Sequence, residues 1–167
     1  MPKTILEVLY RKPRLTVAVA HLAQKCAFPL QRGGVLPSGS LRIKYVSYGD
    51  ESLPPVLLCP SMSNSPFAAD VPDLGEKGWW SAVVGYGPEF GIRLDKFRVI
   101  VPSPLGSPHG STSPLTRRPS TNLPWGPKFP VITPADMADI NGLLLDELGI
   151  EKVHAVIGGS MGGMQVW

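Results

Sequence analysis

A single serine near the end of the sequence stands in a glycine-rich pattern that could make it a nucleophile. Ser160 lies within Gly-Gly-Ser-Met-Gly-Gly at residues 158–163, directly after the apolar run Val-His-Ala-Val-Ile at 153–157. This G-x-S-x-G pattern is typical of a nucleophile elbow, where a strand turns sharply into a helix and holds the hydroxyl clear of the sheet. An ordinary glycine turn is the alternative, and the strand pattern in front of it favours the elbow.

The residues that would activate this serine are not found after it. A serine hydroxyl needs a general base, and the base needs an orienting carboxylate. In elbow proteins both partners follow the serine, and only seven residues follow Ser160. We therefore expect the triad aspartate and histidine to lie beyond Trp167, and this chain alone to lack activity, either as a fragment or as a truncated copy. His109, in a proline-rich loop, and His154, in the predicted strand, lie upstream and are not candidates.

The rest of the sequence predicts the elements that would position the serine. Residues 41–48 alternate apolar and polar side chains, which predicts a half-exposed strand near a sheet edge. Short apolar runs at 55–60, 97–102 and 153–157 predict strands covered on both faces. A helix should begin after Thr133, with Pro134 in its first turn, and end at Gly149. Buried strands separated by a helix and loops predict an α/β fold with a parallel sheet.

A long proline-rich segment interrupts this pattern. Residues 102–130 contain eight prolines. Irregular segments of this length within a compact domain are usually lids or binding loops. We expect this segment to lie over the mouth of the active site.

Charge is distributed unevenly along the chain. The formal net charge is +3, but residues 1–32 hold six basic residues and one acidic residue, while the remainder holds ten basic and twelve acidic residues. The body therefore offers no basic face to a nucleic acid. No apolar run approaches the roughly 20 residues of a transmembrane helix, so no membrane partner is expected.

The basic first 32 residues are predicted to be separate from the folded body. Their composition is typical of a mitochondrial transit peptide, and a disordered or loosely packed leader is the alternative. We expect this segment to be dispensable for the fold, with the domain occupying residues 33–167. The two cysteines, Cys26 and Cys59, form no disulfide framework, which favours a reducing, cytoplasmic location unless the leader directs the protein to mitochondria.

Several longer strings resemble the homoserine O-acetyltransferase family over about residues 33–167. They are Gly-Trp-Trp at 78–80, Phe-Arg-Val-Ile-Val-Pro at 97–102, Leu-Gly-Ser-Pro-His-Gly-Ser-Thr-Ser-Pro at 105–114, Trp-Gly-Pro-Lys-Phe-Pro at 125–130, Leu-Gly-Ile at 148–150 and Ile-Gly-Gly-Ser-Met-Gly-Gly-Met-Gln at 157–165. The resemblance implies an α/β-hydrolase fold, of which this chain would be the N-terminal half. It also implies that the full-length protein could be a homodimer.

The same resemblance implies a reaction and the residues that carry it. Ser160 would take an acetyl group from acetyl-CoA and pass it to the hydroxyl of homoserine. Acetyl-CoA would be a substrate, with no resident cofactor and no metal. The backbone N–H groups of Met161 and Met62 would form the oxyanion hole; Met62 as a plain core methionine is the alternative.

Two departures from the family pattern bear on the substrate. The oxyanion loop reads Pro-Ser-Met-Ser at 60–63, and residues 106–114 resemble a branch of the family in which serine replaces homoserine as acceptor. A serine hydrolase of the same fold, or an inactive fragment, are the other interpretations.

Overall fold

A computed structural model of the chain describes residues 5–22 and 27–166. Its regular elements are strands β1 (Ile5–Lys12), β2 (Leu15–His21), β3 (Phe28–Pro29), β4 (Val35–Leu36), β5 (Arg42–Tyr48), β6 (Pro55–Cys59), β7 (Val84–Gly85), β8 (Ile92–Arg93), β9 (Arg98–Pro102) and β10 (Ala155–Gly158), helices α1 (Pro134–Glu147) and α2 (Met161–Met164), and two 3-10 turns at Pro72–Leu74 and Gly126–Lys128.

Six strands form the main sheet, in the order β1-β2-β5-β9-β6-β10. The pairings β9–β6 and β6–β10 are parallel, whereas β1–β2, β2–β5 and β5–β9 are antiparallel. The α/β fold is therefore confirmed, with its parallel part next to the predicted elbow. The edge position predicted for residues 41–48 is wrong, because β5 is an interior strand between β2 and β9.

The structure of the first 32 residues differs most from what their sequence predicts. Strand β2 pairs with β5 along its whole length, and Val17, Ala18, Val19 and Ala20 are buried. The Gln31 N–H also donates to the Asp136 carboxylate at 2.8 Å. The described part of this segment belongs to the folded body, which contradicts its prediction as a disordered leader. Its predicted dispensability for the fold stays a prediction. Residues 1–4 and 23–26 of the predicted leader, including Cys26, lie outside the described residues.

We expect deletion of residues 1–21 from any protein that contains this chain to abolish its folding. The deletion uncovers one whole edge of β5 and removes two buried valines, each worth about 1.5–3 kcal/mol, from a net stability of about 5–15 kcal/mol. The measurement is a thermal melt followed by circular dichroism. Lys12→Ala is the control, since it removes only an exposed ion pair with Asp73 and should change stability by at most about 1 kcal/mol. A cooperative melt near the parent temperature after the deletion would restore the dispensable-leader interpretation.

Both faces of the sheet are covered. In β6, Leu57 and Cys59 face a cluster that contains the α1 residues Met137, Ile140 and Leu144. The alternate residues Val56 and Leu58 pack on the other face against residues of the segment 67–94. The apolar run at 55–60 is thus covered on both sides, as predicted.

Helix α1 begins as its sequence predicts. The Thr133 hydroxyl accepts from the Asp136 N–H at 3.3 Å, and the Asp136 carboxylate accepts from the Thr133 N–H at 2.6 Å, which completes a capping box. Gly149, with a φ of 68°, follows the last turn and adopts the left-handed conformation that favours glycine at a helix end. The capping box therefore fixes the start of α1. Asn141, in the middle of the same helix, contacts the elbow through Gln165.

The proline-rich segment 102–130 packs against the sheet rather than forming a free lid. Thr112 exchanges bonds with the backbone of Arg42, and the Lys44 N–H donates to the Ser111 hydroxyl at 3.1 Å. Ser111, Thr112 and Ser113 are buried. Its first part, residues 104–108, lines the same cavity as the predicted oxyanion residues.

Within the described ranges, no helix is long and apolar enough to cross a membrane.

Candidate active site

Ser160 stands where β10 turns into α2, as the elbow pattern predicts. It directly precedes the helix, and its backbone has a φ of 55° and a ψ of −127°. Positive φ is uncommon for a residue with a side chain and is found where the surrounding structure imposes it, often at functional sites. The residue is exposed, and its hydroxyl has no hydrogen-bond partner among the described residues. The geometry therefore presents a free hydroxyl at the end of a parallel strand.

The two glycines that define the pattern are required by close packing. A Cβ on Gly158 would overlap the carbonyl of Gly162, and a Cβ on Gly162 would overlap the carbonyl oxygen of Cys59 and lie 3.0 Å from that of Pro60. Gly159, by contrast, has open space where a Cβ would stand. The elbow thus needs glycine at positions 158 and 162, because the chain after the serine runs against the end of β6.

The two predicted oxyanion donors lie at one cavity. Met62 and Met161 both line a space of about 300 Å³. Neither residue's N–H has an acceptor within residues 5–22 and 27–166. Met62 is 74% exposed, so it is not a core methionine. Unpaired amides at one cavity can bind an oxyanion when one forms, and Met161 directly follows Ser160 in the chain.

The walls of this cavity carry no charged side chain among the described residues. The other lining residues are Pro104, Leu105, Gly106, Ser107, Pro108, Ile132 and Met137. Ser107 is the one hydroxyl residue among them, and its oxygen lies 2.8 Å from that of Ser103.

None of the three histidines in the chain acts on Ser160 in this structure. His21 lies near Glu7, with 3.4 Å between Nε2 and Oε2. His154 is wrongly predicted to be inside a buried strand, because it precedes β10, is exposed and stacks on Phe97 with 5.0 Å between ring centroids. His109 lies in the loop after Pro108 and bonds only through its N–H, to Ser107. Within residues 5–22 and 27–166, no histidine therefore contacts Ser160.

A buried polar cluster lies directly under the elbow. The Asn141 side-chain amide donates to the Gln165 side-chain oxygen at 3.1 Å, and the Gln165 amide donates to the Met161 carbonyl at 3.4 Å. Asn141 also lies 3.8 Å from the Cys59 sulfur, and burial raises the pKa of that thiol to about 12. Sequence reasoning missed this cluster, although an asparagine four residues after Met137, on the apolar stripe of α1, was a signal for it.

Comparisons with known proteins show which family the chain belongs to. Residues 54–167 match the model of the alpha/beta hydrolase fold family. The chain is 37% identical over 155 residues to a homoserine O-acetyltransferase from Nitrobacter hamburgensis, covering 90% of this chain and 38% of the relative. It is 41% identical to a homoserine O-succinyltransferase from Alkalilimnicola ehrlichii, covering 82% of this chain and 36% of the relative. The crystal structure of esterase E22 superposes with a TM-score of 0.74 at 30% identity, over 90% of this chain and 42% of the esterase.

Two facts follow from the extent of these matches. The chain spans about 40% of the length of the curated relatives it matches. A match over 90% of the chain also extends into the first 32 residues, because residues 33–167 make up only about four fifths of it. The resemblance is therefore not confined to residues 33–167, which agrees with the position of β2 in the sheet.

Proposed function

This chain belongs to the alpha/beta hydrolase fold family, and we propose that it is the N-terminal part of an O-acyltransferase that moves an acetyl group from acetyl-CoA to the hydroxyl of homoserine. The observation that carries the proposal is Ser160, held at positive φ between β10 and α2. The residue after it, Met161, shares a cavity with Met62, and both have unpaired backbone amides. The similarity to homoserine O-acyltransferases supports the reaction class. The full-length protein is this chain together with the downstream sequence that the proposal requires.

The first step forms an acyl-enzyme. The Ser160 oxygen attacks the thioester carbonyl of acetyl-CoA while a general base, supplied by the sequence after Trp167, takes its proton. The carbonyl oxygen becomes an oxyanion that the N–H groups of Met62 and Met161 bind. The carbon–sulfur bond then breaks, and the CoA sulfur leaves as the thiol after accepting a proton. Acetyl-Ser160 remains.

The second step passes the acetyl group on. The base takes the proton of the acceptor hydroxyl, whose oxygen attacks the acetyl carbonyl of the acyl-enzyme. The same two amides stabilise the second oxyanion, and the bond to the Ser160 oxygen breaks as that oxygen regains a proton. The products are an O-acetyl amino acid and free Ser160.

The cavity favours acetyl over succinyl as the group transferred. The relatives include transferases named for both. A succinyl group carries a carboxylate, which is expensive to bury without a cation, and the described walls of the cavity beside Met62 and Met161 carry no charge. An acetyl group needs no such partner.

A serine hydrolase is the second candidate, favoured by the likeness to esterase E22. It would use the same serine and oxyanion donors, with water as the acceptor in the second step. Serine as the acceptor amino acid, and a catalytically inactive fragment, also stay open.

The test measures thiol release from acyl-CoA by the full-length protein. We expect release from acetyl-CoA to depend on homoserine and to exceed release from succinyl-CoA. Serine in place of homoserine distinguishes the acceptors, and release without either amino acid indicates a hydrolase. Equal rates with and without an amino acid would contradict the transferase proposal.

Replacing Met62 with alanine should change kcat by less than about threefold, because the proposed donor is the backbone N–H, which alanine keeps. The side chain is largely exposed, so the melting temperature should also stay near that of the parent. Steady-state kinetics with acetyl-CoA and homoserine provide the measurement. A loss of kcat of a hundredfold would show that the thioether itself acts in the reaction.

A further inference from the structure

We propose that Asn141 and Gln165 are positioning residues that hold Met161 where its N–H can bind the oxyanion. The inference rests on the proposed function, in which that N–H is one of two oxyanion donors. The contacts that carry it are the two successive hydrogen bonds from Asn141 to Gln165 and from Gln165 to the Met161 carbonyl. Neither side chain touches the cavity, so both would act through Met161.

Helix α2 is too short to hold Met161 by itself. It comprises only the four residues Met161–Met164, and isolated helices of this length are unstable because nucleation is unfavourable. Its position must therefore come from contacts with the rest of the domain. The Gln165 side chain, just after the last turn, donates a hydrogen bond to the carbonyl of Met161, the first residue of the helix.

The far end of the chain of hydrogen bonds is anchored in the core. Asn141 lies on α1, whose start is fixed by the capping box at Thr133. Asn141 and Gln165 are only 5% and 6% exposed. Buried amides keep partners because losing one leaves the other unsatisfied. The Asn141 amide fixes which way the Gln165 amide faces, so the Gln165 N–H group points at Met161.

Cys59 contributes less to this arrangement. Its sulfur lies 3.8 Å from the Asn141 nitrogen, and sulfur is a weak acceptor. Burial keeps the thiol protonated by raising its pKa, so it is inert packing at the end of β6. The proposal therefore assigns the positioning role to the two amides alone.

The test is the rate at which a fluorophosphonate probe labels Ser160 in the full-length protein. In this reaction the Ser160 oxygen forms a bond to phosphorus, fluoride leaves, and the base takes the serine proton. The phosphoryl oxygen occupies the oxyanion position, so the rate reports the donors without needing acyl-CoA or an acceptor. The variants are Gln165→Met and Asn141→Leu, each close in size to the parent residue, and their combination.

We expect each single variant to label about tenfold more slowly, which is less than the roughly 10²–10³-fold that complete loss of an oxyanion donor costs, because the Met161 N–H is displaced and not removed. The double variant should label at most about twofold more slowly than either single variant, because both substitutions break the same series of hydrogen bonds. In acetyl transfer kcat should fall while KM stays within about twofold. Ile140→Val is the control: it trims the same face of α1, leaves both hydrogen bonds, and should label at the parent rate despite some loss of stability.

Rates are compared below the melting temperature of every variant. Should Gln165→Met fail to fold, Asn141→Leu decides alone. Labelling at the parent rate in folded variants, or single effects that multiply in the combination, would overturn the proposal. If the parent is labelled but transfers no acetyl group to homoserine, the proposed function fails and the positioning role is still tested.

Discussion

Replacing Ser160 with alanine in the full-length protein is expected to lower kcat for acetyl transfer by about 10⁴-fold or more, because no acyl-enzyme can form and only binding and the oxyanion donors remain. The exposed side chain has no hydrogen bond among the described residues to lose, so the melting temperature should change little. Thiol release from acetyl-CoA in the presence of homoserine measures the rate.

Ser107→Ala is the matched control for that experiment. Ser107 lines the cavity that Met62 and Met161 share, and its hydroxyl is already paired with that of Ser103. We expect it to retain kcat within about tenfold, since removing one ordinary hydrogen bond costs about 0.5–1.5 kcal/mol. Similar losses of kcat in both variants would contradict the assignment of Ser160 as the nucleophile.

Gly162→Ala should both destabilise the protein and remove its activity. The added Cβ would overlap the backbone carbonyl oxygen of Cys59, and a backbone cannot rotate away as a side chain can. Either the end of β6 or the start of α2 must move, which should lower the free energy of unfolding by about 1–3 kcal/mol or more. Both elements adjoin Ser160. Because a misplacement of about 1 Å can cost about 10²-fold in rate, we expect at least that loss in kcat, measured together with a thermal melt.

Gly159→Ala separates this steric effect from the general effect of replacing a glycine. Gly159 has no atom within 4 Å of the added Cβ and is not among the described residues with positive φ. It should fold and react like the parent. Equal behaviour of the two variants would contradict the packing explanation for the G-x-S-x-G spacing.

The sequence predicted the part of the fold whose signals are local. The glycines of the elbow, the start of α1 after Thr133 and the apolar runs of β6 and β9 are each specified by residues close together in the sequence, and the structure confirms them. The elbow was predictable for the same reason. Its nucleophile needs only a strand, a sharp turn and a short helix.

What could not be predicted depends on pairing between distant residues. Strands β1 and β2 carry a concentration of basic side chains, which is typical of a leader, and only their pairing with β5 shows that they are part of the sheet. The prediction of β5 as an edge strand failed because its neighbour was not foreseen. The contact between Asn141 and Gln165 joins residues 24 positions apart, and no local pattern specifies it.

The most direct test of the proposed chemistry is the intact mass of the full-length protein after a brief incubation with acetyl-CoA in the absence of an acceptor. We expect one added acetyl group, mapped to Ser160 by peptide analysis, absent from Ser160→Ala and lost when homoserine is supplied. Acetylation that survives the substitution, or none at all in a protein that transfers acetyl groups, would contradict the acyl-serine mechanism.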